Sequence, residues 1–391
     1  MIKRTYKYRI YPTKAQQEIL EINLSLCRWL YNHFLEERKT LYEKNKTKVT
    51  CYDQIKEIPK LKKEKPELRK VYSQTLQDTA RRLDKAFQSF FRRVIKGKNQ
   101  KPGYPRFKGY LRYDSFIYPQ SGFNLKDNKL ILSKIGSLKI KLHREIRGNI
   151  KTLTLRRTTT NKWYACFSVE INKELPGKME IENIVGLDVG LTSFLTTSKG
   201  EKIDNPRYLR KSEEKLAKIQ KCHSRKNLKS KNRKKSRIRI ARLHEKICNQ
   251  RIDFLHKLSS RLVKNFQLIA FEKLDIKAMI KNRHLSKSIS DASWSIFLQQ
   301  LKYKAEEAGI WAIEVNSKNT TQVCSGCGAI VFKTLATRIH KCPKCILTID
   351  RDINAARNIL KLALSTVGTT EINACGVERL LPTMKQEALY L

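Results

Sequence analysis

Apolar and polar positions change period several times along this chain, and each change marks a new element. Residues 3–11 alternate basic side chains with apolar or aromatic ones, the period-two pattern of a half-buried strand. Pro12 ends it, and Thr13 with Gln16 has the spacing of a helix capping box. Leu20, Leu24, Cys27, Tyr31 and Phe34 then follow at three- or four-residue steps, an apolar helix stripe. Residues 44–70 are rich in Lys and Glu and contain Pro59 and Pro66, which predicts a helix interrupted by loops. A second strong helix is predicted over 71–96 on Leu76, Ala80, Leu83, Phe87, Phe90 and Val94; its other face carries Gln74, Gln77, Arg81, Arg82, Lys85 and Arg93. From GYPRFKG (103–109) to about 175, short alternating runs such as LILSKIGSLKIKL and WYACFSVEI break at Gly and Asn. They predict a small antiparallel barrel that the first strand joins, making the helical block an insertion. Further on, IVGLDVGLTSFLTTS (184–198) reads as a hairpin of two buried strands and 207–264 as a long helical stretch. LIAFEKL (268–274) and WAIEV (311–315) read as strands, 291–308 and 352–364 as helices, and the last 26 residues show no pattern.

Composition changes this picture in one direction. Across 391 residues, 82 Lys and Arg face 36 Asp and Glu, a formal charge of +46, while 40% of the chain is hydrophobic. That apolar content excludes wholesale disorder. A free protein of this charge repels itself, and a polyanion relieves the repulsion, so the chain reads as half of a nucleoprotein. It has no run of eighteen apolar residues, and MIKRTYKYRIYPT has no apolar centre, so neither a membrane span nor a secretory signal is expected. Six of the ten cysteines (Cys27, Cys51, Cys166, Cys222, Cys248, Cys375) are scattered, as in a reduced, cytoplasmic protein.

The other four form two C-x2-C pairs, Cys324/Cys327 and Cys342/Cys345, separated by fourteen residues. Each pair sits on a tight turn, CSGC or CPKC, that lets two thiolates face one ion. Four thiolates satisfy tetrahedral Zn²⁺ and leave no open position, so the expected zinc is structural. His340 is nearby, but four thiolates need no substitute.

Three carboxylates stand out for where they fall. Asp188 interrupts an apolar strand, Glu272 ends another, and Asp352 lies at a helix start whose dipole favours an anion. Converging, they form an all-oxygen set suited to Mg²⁺, in which paired ions clamp the attacking and leaving oxygens of a phosphodiester. Asp350 is an alternative third ligand; Asp352 is preferred because it opens NAARNI by two residues. Arg351 and Arg357 are candidate phosphate contacts. The order Asp, Glu, Asp resembles that of RuvC-type nucleases of the RNase H-like fold. No HxH pair or HNH motif is present, so one centre would cut both strands.

The chain resembles the TnpB family of transposon-encoded RNA-guided nucleases, related to the compact type V CRISPR effectors. The resemblance rests on YKYRIYPTKAQQ, CRWLYNHFLEER, SQTLQDTARRLDKAFQSFF, GYPRFK, VGLDVGL, FEKLDI, TTQVCSGCG, and CPKC followed by DRDINAARNI. Two features depart from it: Ile346 follows Cys345 where glycine is usual, and the tail after 365 has no counterpart.

The resemblance implies an α/β and mixed multidomain protein. A wedge β-barrel would occupy 1–10 and 105–178, a helical recognition lobe 11–104, and an RNase H-like (RuvC) nuclease core 179–315 and 347–365. A zinc-binding ribbon would be inserted at 316–346, with a tail at 366–391. It implies a catalytic, magnesium-binding triad of Asp188, Glu272 and Asp352, and zinc on Cys324, Cys327, Cys342 and Cys345. The implied partners are a transposon-derived guide RNA (omega RNA) and double-stranded target DNA, cut beside a short adjacent motif, with the protein a monomer in the RNA complex. Because guide pairing reads the sequence, many Lys and Arg are needed to hold the backbone. Gln74 and Gln77 are candidates for adjacent-motif contact, and Arg81 on the same helix for nucleic-acid binding. Arg225, Lys229, Arg233, Lys234 and Lys235, within the cationic run 225–239, are candidates for the nucleic-acid channel. The alternatives are a nuclease-inactive RNA-guided repressor, which would lack an acidic ligand, and a plain structural RNA-binding protein, which would need none.

Overall fold

The computed structural model describes residues 2–96, 102–172, 176–316, 320–334 and 337–367, so the tail beyond 367, with Cys375, lies outside the described residues. The chain divides into two compact units, Met1–Glu174 and Leu175–Leu391.

The first unit opens with strand β1 (Ile2–Tyr11), which turns Tyr6, Tyr8 and Ile10 inward and its basic residues outward. Helix α1 (Lys14–Asn45) follows, and its capping box is present: Gln16 N–H donates to Thr13 Oγ1, and Thr13 N–H to Gln16 Oε1. The whole α1 stripe from Leu20 to Phe34 is buried. Helix α2 (Cys51–Glu64) runs straight through Pro59, which was expected to interrupt it. Ile58 and Leu61, both buried beside the proline, pack α2 onto the core and offset the lost hydrogen bond. Helix α3 (Ser73–Lys96) buries Leu76, Ala80, Leu83 and Phe87, but Val94 is exposed: the stripe outlasts the core it packs on.

Six strands complete this unit: β2 (Ser115–Tyr118), β3 (Phe123–Lys126), β4 (Lys129–Leu132), β5 (Gly136–Lys141), β6 (Asn149–Arg157) and β7 (Trp163–Ile171). All pairings are antiparallel, in the order β2-β6-β7-β1-β5-β4-β3. The edge strands approach one another, with the rings of Tyr118 and Phe123 6.5 Å apart, so the sheet is nearly a closed barrel. Strand β1 sits in its middle, and α1–α3 are an insertion between β1 and β2. Thr75 Oγ1 on α3 donates to Ile117 O on β2 at 2.8 Å, and one core runs through helices and sheet alike.

The second unit is built on a five-stranded mixed sheet. Its strands are β8 (Ile184–Val189), β9 (Ser193–Thr197), β10 (Lys202–Asp204), β11 (Leu268–Glu272) and β12 (Trp311–Val315), in the order β10-β9-β8-β11-β12. The first three pair antiparallel, while β11 runs parallel to both β8 and β12. Helices α4 (Tyr208–Ser224) and α5 (Lys231–Asn265) follow β10. The single stretch expected here is broken at 225–230, where Arg233 Nη1 donates to His223 O and Lys226 O and so closes the turn. Short helices α6 (Ile276–Met279) and α7 (Ser286–Ala292) precede α8 (Trp294–Ala308). The helix expected over 291–308 thus breaks at Ser293, which takes a left-handed φ of 57°.

Strands β13 (Ile339–Lys341) and β14 (Thr348–Asp350) form a hairpin before the last helix, α9 (Arg351–Val367). Successive strand residues point to opposite faces. Val185, Leu187, Ile269 and Phe271 therefore pack with α5 and α8, while Leu268 and Ala270 pack with α9. Gly186 lies on the α9 face. A Cβ there would sit 2.0 Å from Ala356 O, so glycine is what lets α9 lie this close to the sheet.

Candidate active site

Asp188 is the penultimate residue of β8 and Glu272 the last of β11. The parallel ladder pairs Leu187 with Phe271, so the two acids stand next in register on neighbouring strands, at their C-terminal ends. Both share a face with Gly186 and Ala270, the face covered by α9. Asp352 lies in the first turn of α9, one turn before the Ala356 carbonyl that touches Gly186. Residues separated by 84 and 80 positions in sequence are thus brought together at the C-terminal ends of two neighbouring interior strands.

Burial, then the charges of Glu272 and Asp352, push the Asp188 carboxyl well above the usual carboxylate range, and Arg351 opposes them. Burial also raises Glu272, against a hydrogen bond that Thr320 Oγ1 donates to its Oε1. Carboxylates desolvated beside like charges call for a cation, and an all-oxygen set suits Mg²⁺. Arg351 supplies part of that charge: its Nε and Nη2 each lie 3.1 Å from Asp352 Oδ1.

Asp350 is occupied elsewhere. Its Oδ1 accepts the N–H groups of Asp352 (2.9 Å) and Ile353 (3.3 Å), capping α9, and its Oδ2 accepts from Lys202 Nζ at 2.6 Å. Both of its oxygens are thus engaged.

The four cysteine sulfurs all lie within 4.8 Å of one another, the one such cluster of three or more metal-ligating residues among the described residues. Cys324 and Cys345 are 3.6 Å apart and Cys327 and Cys342 3.5 Å, near the roughly 3.8 Å edge of a tetrahedron with 2.3 Å Zn–S bonds. The backbone N–H groups of Cys345 and Lys344 hold the Cys342 thiol down to about 6. The two knuckles close alike, with Gly328 N–H donating to Cys324 O and Ile346 N–H to Cys342 O, both at 3.0 Å. Both residues have a left-handed φ, 77° at Gly328 and 61° at Ile346. The donor set and spacing fit zinc.

The remaining candidates sit apart from this centre. Gln74 and Gln77 are half-buried and Arg81 exposed on α3, with Gln74 Oε1 3.5 Å from Ser121 Oγ. Arg225 and Lys229 are exposed between α4 and α5, as are Lys234 and Lys235 on α5; Arg233 is spent on the turn. Sequence reasoning missed Thr320, and missed what Asn354 and Asn358 hold. The only signal for the pair was two amides four residues apart inside an apolar helix stripe.

Family models described as "Probable transposase" and "Cas12f1-like, TNB domain" match residues 166–283 and 294–359. A "Helix-turn-helix domain" model matches 1–47, residues that here form β1 and the one long helix α1. A "Putative RNA-guided DNA endonuclease" of Streptomyces pristinaespiralis is 34% identical over 383 residues, covering 96% of this chain and 91% of that one. The chain belongs to the TnpB family. A "TnpB-like protein" of Acanthamoeba polyphaga mimivirus is 26% identical over 92% of this chain and 73% of its own length. The solved structure of the mini-RNA-guided endonuclease CRISPR-Cas_phi3 is 10% identical, with a TM-score of 0.49, over 93% of this chain and 92% of that one. In this TnpB chain no described helix is long and apolar enough to cross a membrane.

Proposed function

We propose that this protein is an RNA-guided DNA endonuclease whose single acidic centre, Asp188, Glu272 and Asp352, holds Mg²⁺ and cuts both target strands. The observation that carries the reading is the placement of Asp188 and Glu272 in adjacent register at C-terminal strand ends, facing the first turn of α9. The strand order supports an RNase H-like core of RuvC type: three antiparallel strands continue into two that run parallel to the first. Divalent ions bound there would stabilise charge on the attacking and leaving oxygens of a phosphodiester. The protein's own part is to fix those carboxylates, exclude bulk water behind β8 and β11, and oppose their repulsion. The four cysteines would hold structural zinc. The 82 basic side chains suit a guide RNA and its heteroduplex, with the exposed α4–α5 cations and the polar face of α3 as the surfaces assigned to nucleic acid. The repressor alternative gains nothing, because all three acidic positions are filled.

The test is to purify the protein with its bound RNA, sequence that RNA, and offer duplex DNA matching its variable end. A discrete transposon-end transcript and matched cutting in Mg²⁺ support the reading; random cellular RNA and no cutting reject it.

A further inference from the structure

The segment 320–325 touches both metal-ligand sets of the second unit. At one end Thr320, 3% exposed, donates its hydroxyl to Glu272 Oε1. At the other, Cys324 Sγ lies 3.6 Å from Cys345 Sγ in the cysteine cluster. Between them, one stripe of α9 holds the backbone. Asn358 Nδ2 donates to Thr320 O (2.8 Å) and Val323 O (2.7 Å). Asn354 Nδ2 donates to the same Val323 O at 2.8 Å, and its Oδ1 accepts Ser325 N–H at 2.8 Å. Lys361 Nζ donates to Ser325 O. The amides are 0% and 6% exposed, so each bond is made away from water, where an unmade one is costly. The same helix carries Asp352 in its first turn.

We infer that Thr320 is a positioning residue for Glu272, and that Asn354 and Asn358 tie Thr320 to α9 and to the first cysteine knuckle, so that zinc-site folding sets the geometry of the acidic centre. This rests on the reading of Glu272 as a metal ligand. A carboxylate is free to turn about its last torsion, and metal affinity depends on which oxygen faces the ion. The Thr320 hydroxyl restrains that torsion by engaging one oxygen, Oε1. The amides fix the hydroxyl in turn, because they hold the backbone of the residue that bears it.

The full-length protein with its bound RNA serves for the test, with Mn²⁺ as the probe. Mn²⁺ binding is measured by calorimetry, zinc by elemental analysis, folding by melting, and cutting against Mn²⁺ concentration. Thr320→Val is expected to keep its zinc and its melting temperature, to bind Mn²⁺ about tenfold more weakly, and to need correspondingly more for half-maximal cutting. Thr320→Ser, which keeps the hydroxyl, is expected to restore both. Should the valine variant melt low, Thr320→Ala is read by the same titration. Asn358→Ala is expected to weaken zinc retention and Mn²⁺ binding together. Wild-type Mn²⁺ binding in the Thr320 variants lacking a hydroxyl, beside an inactive Glu272→Gln, overturns the inference alone. A Glu272→Gln protein that binds Mn²⁺ and cuts normally overturns the reading beneath it.

Discussion

The second unit contains two sets of candidate metal ligands assembled in different ways. The four sulfurs already lie within 4.8 Å of one another, and the three carboxylates do not form such a cluster. The cysteines come in pairs three residues apart, each on a turn closed by its own backbone hydrogen bond, so local geometry assembles half the site at a time. The carboxylates come from two strand ends and a helix start. Burial, then the charges of Glu272 and Asp352, drives Asp188 toward protonation, and Arg351 stands against Asp352. A site built from short loops takes its geometry from neighbours in sequence. One built by long-range convergence takes its geometry from the fold of the whole sheet.

The largest effect that separates the two is expected from Asp188→Ala. Cleavage should fall by about a thousandfold, roughly 4 kcal/mol of transition-state stabilisation, while guide RNA and zinc stay bound. Unchanged cutting would remove the acidic centre from the mechanism. Next comes the other set. Cys324→Ser with Cys327→Ser should lose zinc, lower the melting temperature and reduce cutting by about tenfold or more, because the knuckle and segment 320–325 fold with the ion. Full activity in that metal-free variant would show that the two sets are independent.

A smaller effect concerns stability. Burial and its acidic neighbours hold the folded-state Asp188 carboxyl well above its ordinary value, so the unfolded chain binds fewer protons than the folded one between those values. Stability therefore falls as pH rises through that window, and the penalty is full above the folded value. Without divalent ions, Asp188→Asn should melt several degrees higher than the natural protein at neutral pH, and the gap should shrink on acidification. A gap that widens on acidification would contradict this sign. The smallest effect lies within the cysteine set. Ile346 takes a left-handed backbone where the matching knuckle has Gly328, at a cost to a β-branched residue of roughly 1 kcal/mol. Ile346→Gly should tighten zinc about fivefold in a chelator competition; looser binding would argue against strain there.

What could be read from the residues followed from what is local. The Thr13–Gln16 box, the α1 stripe and the cysteine turns depend on neighbours a few positions away. Asp188 was legible because a charge in an apolar strand needs a reason. Pro59 misled, because burial of Ile58 and Leu61 outweighs a lost backbone bond, and no local signal says so. The break at 225–230 and the left-handed Ser293 were hidden inside helical composition. Thr320 was invisible for a plainer reason: a threonine in a polar loop carries no mark until the strand it leans on is known. Register between β8 and β11 likewise depends on residues 84 apart.

The position of β1 has a consequence for synthesis. Residues 2–10 pair with 163–171, so the first strand emerges long before its main partner exists. At about 5–20 residues per second, Tyr6 and Tyr8 wait on the order of 10–30 s, outside the ribosome and unpaired, for β7 to follow. The helices made in the interval fold from nearby contacts, so the inserted block can be complete while that strand still awaits its main partner.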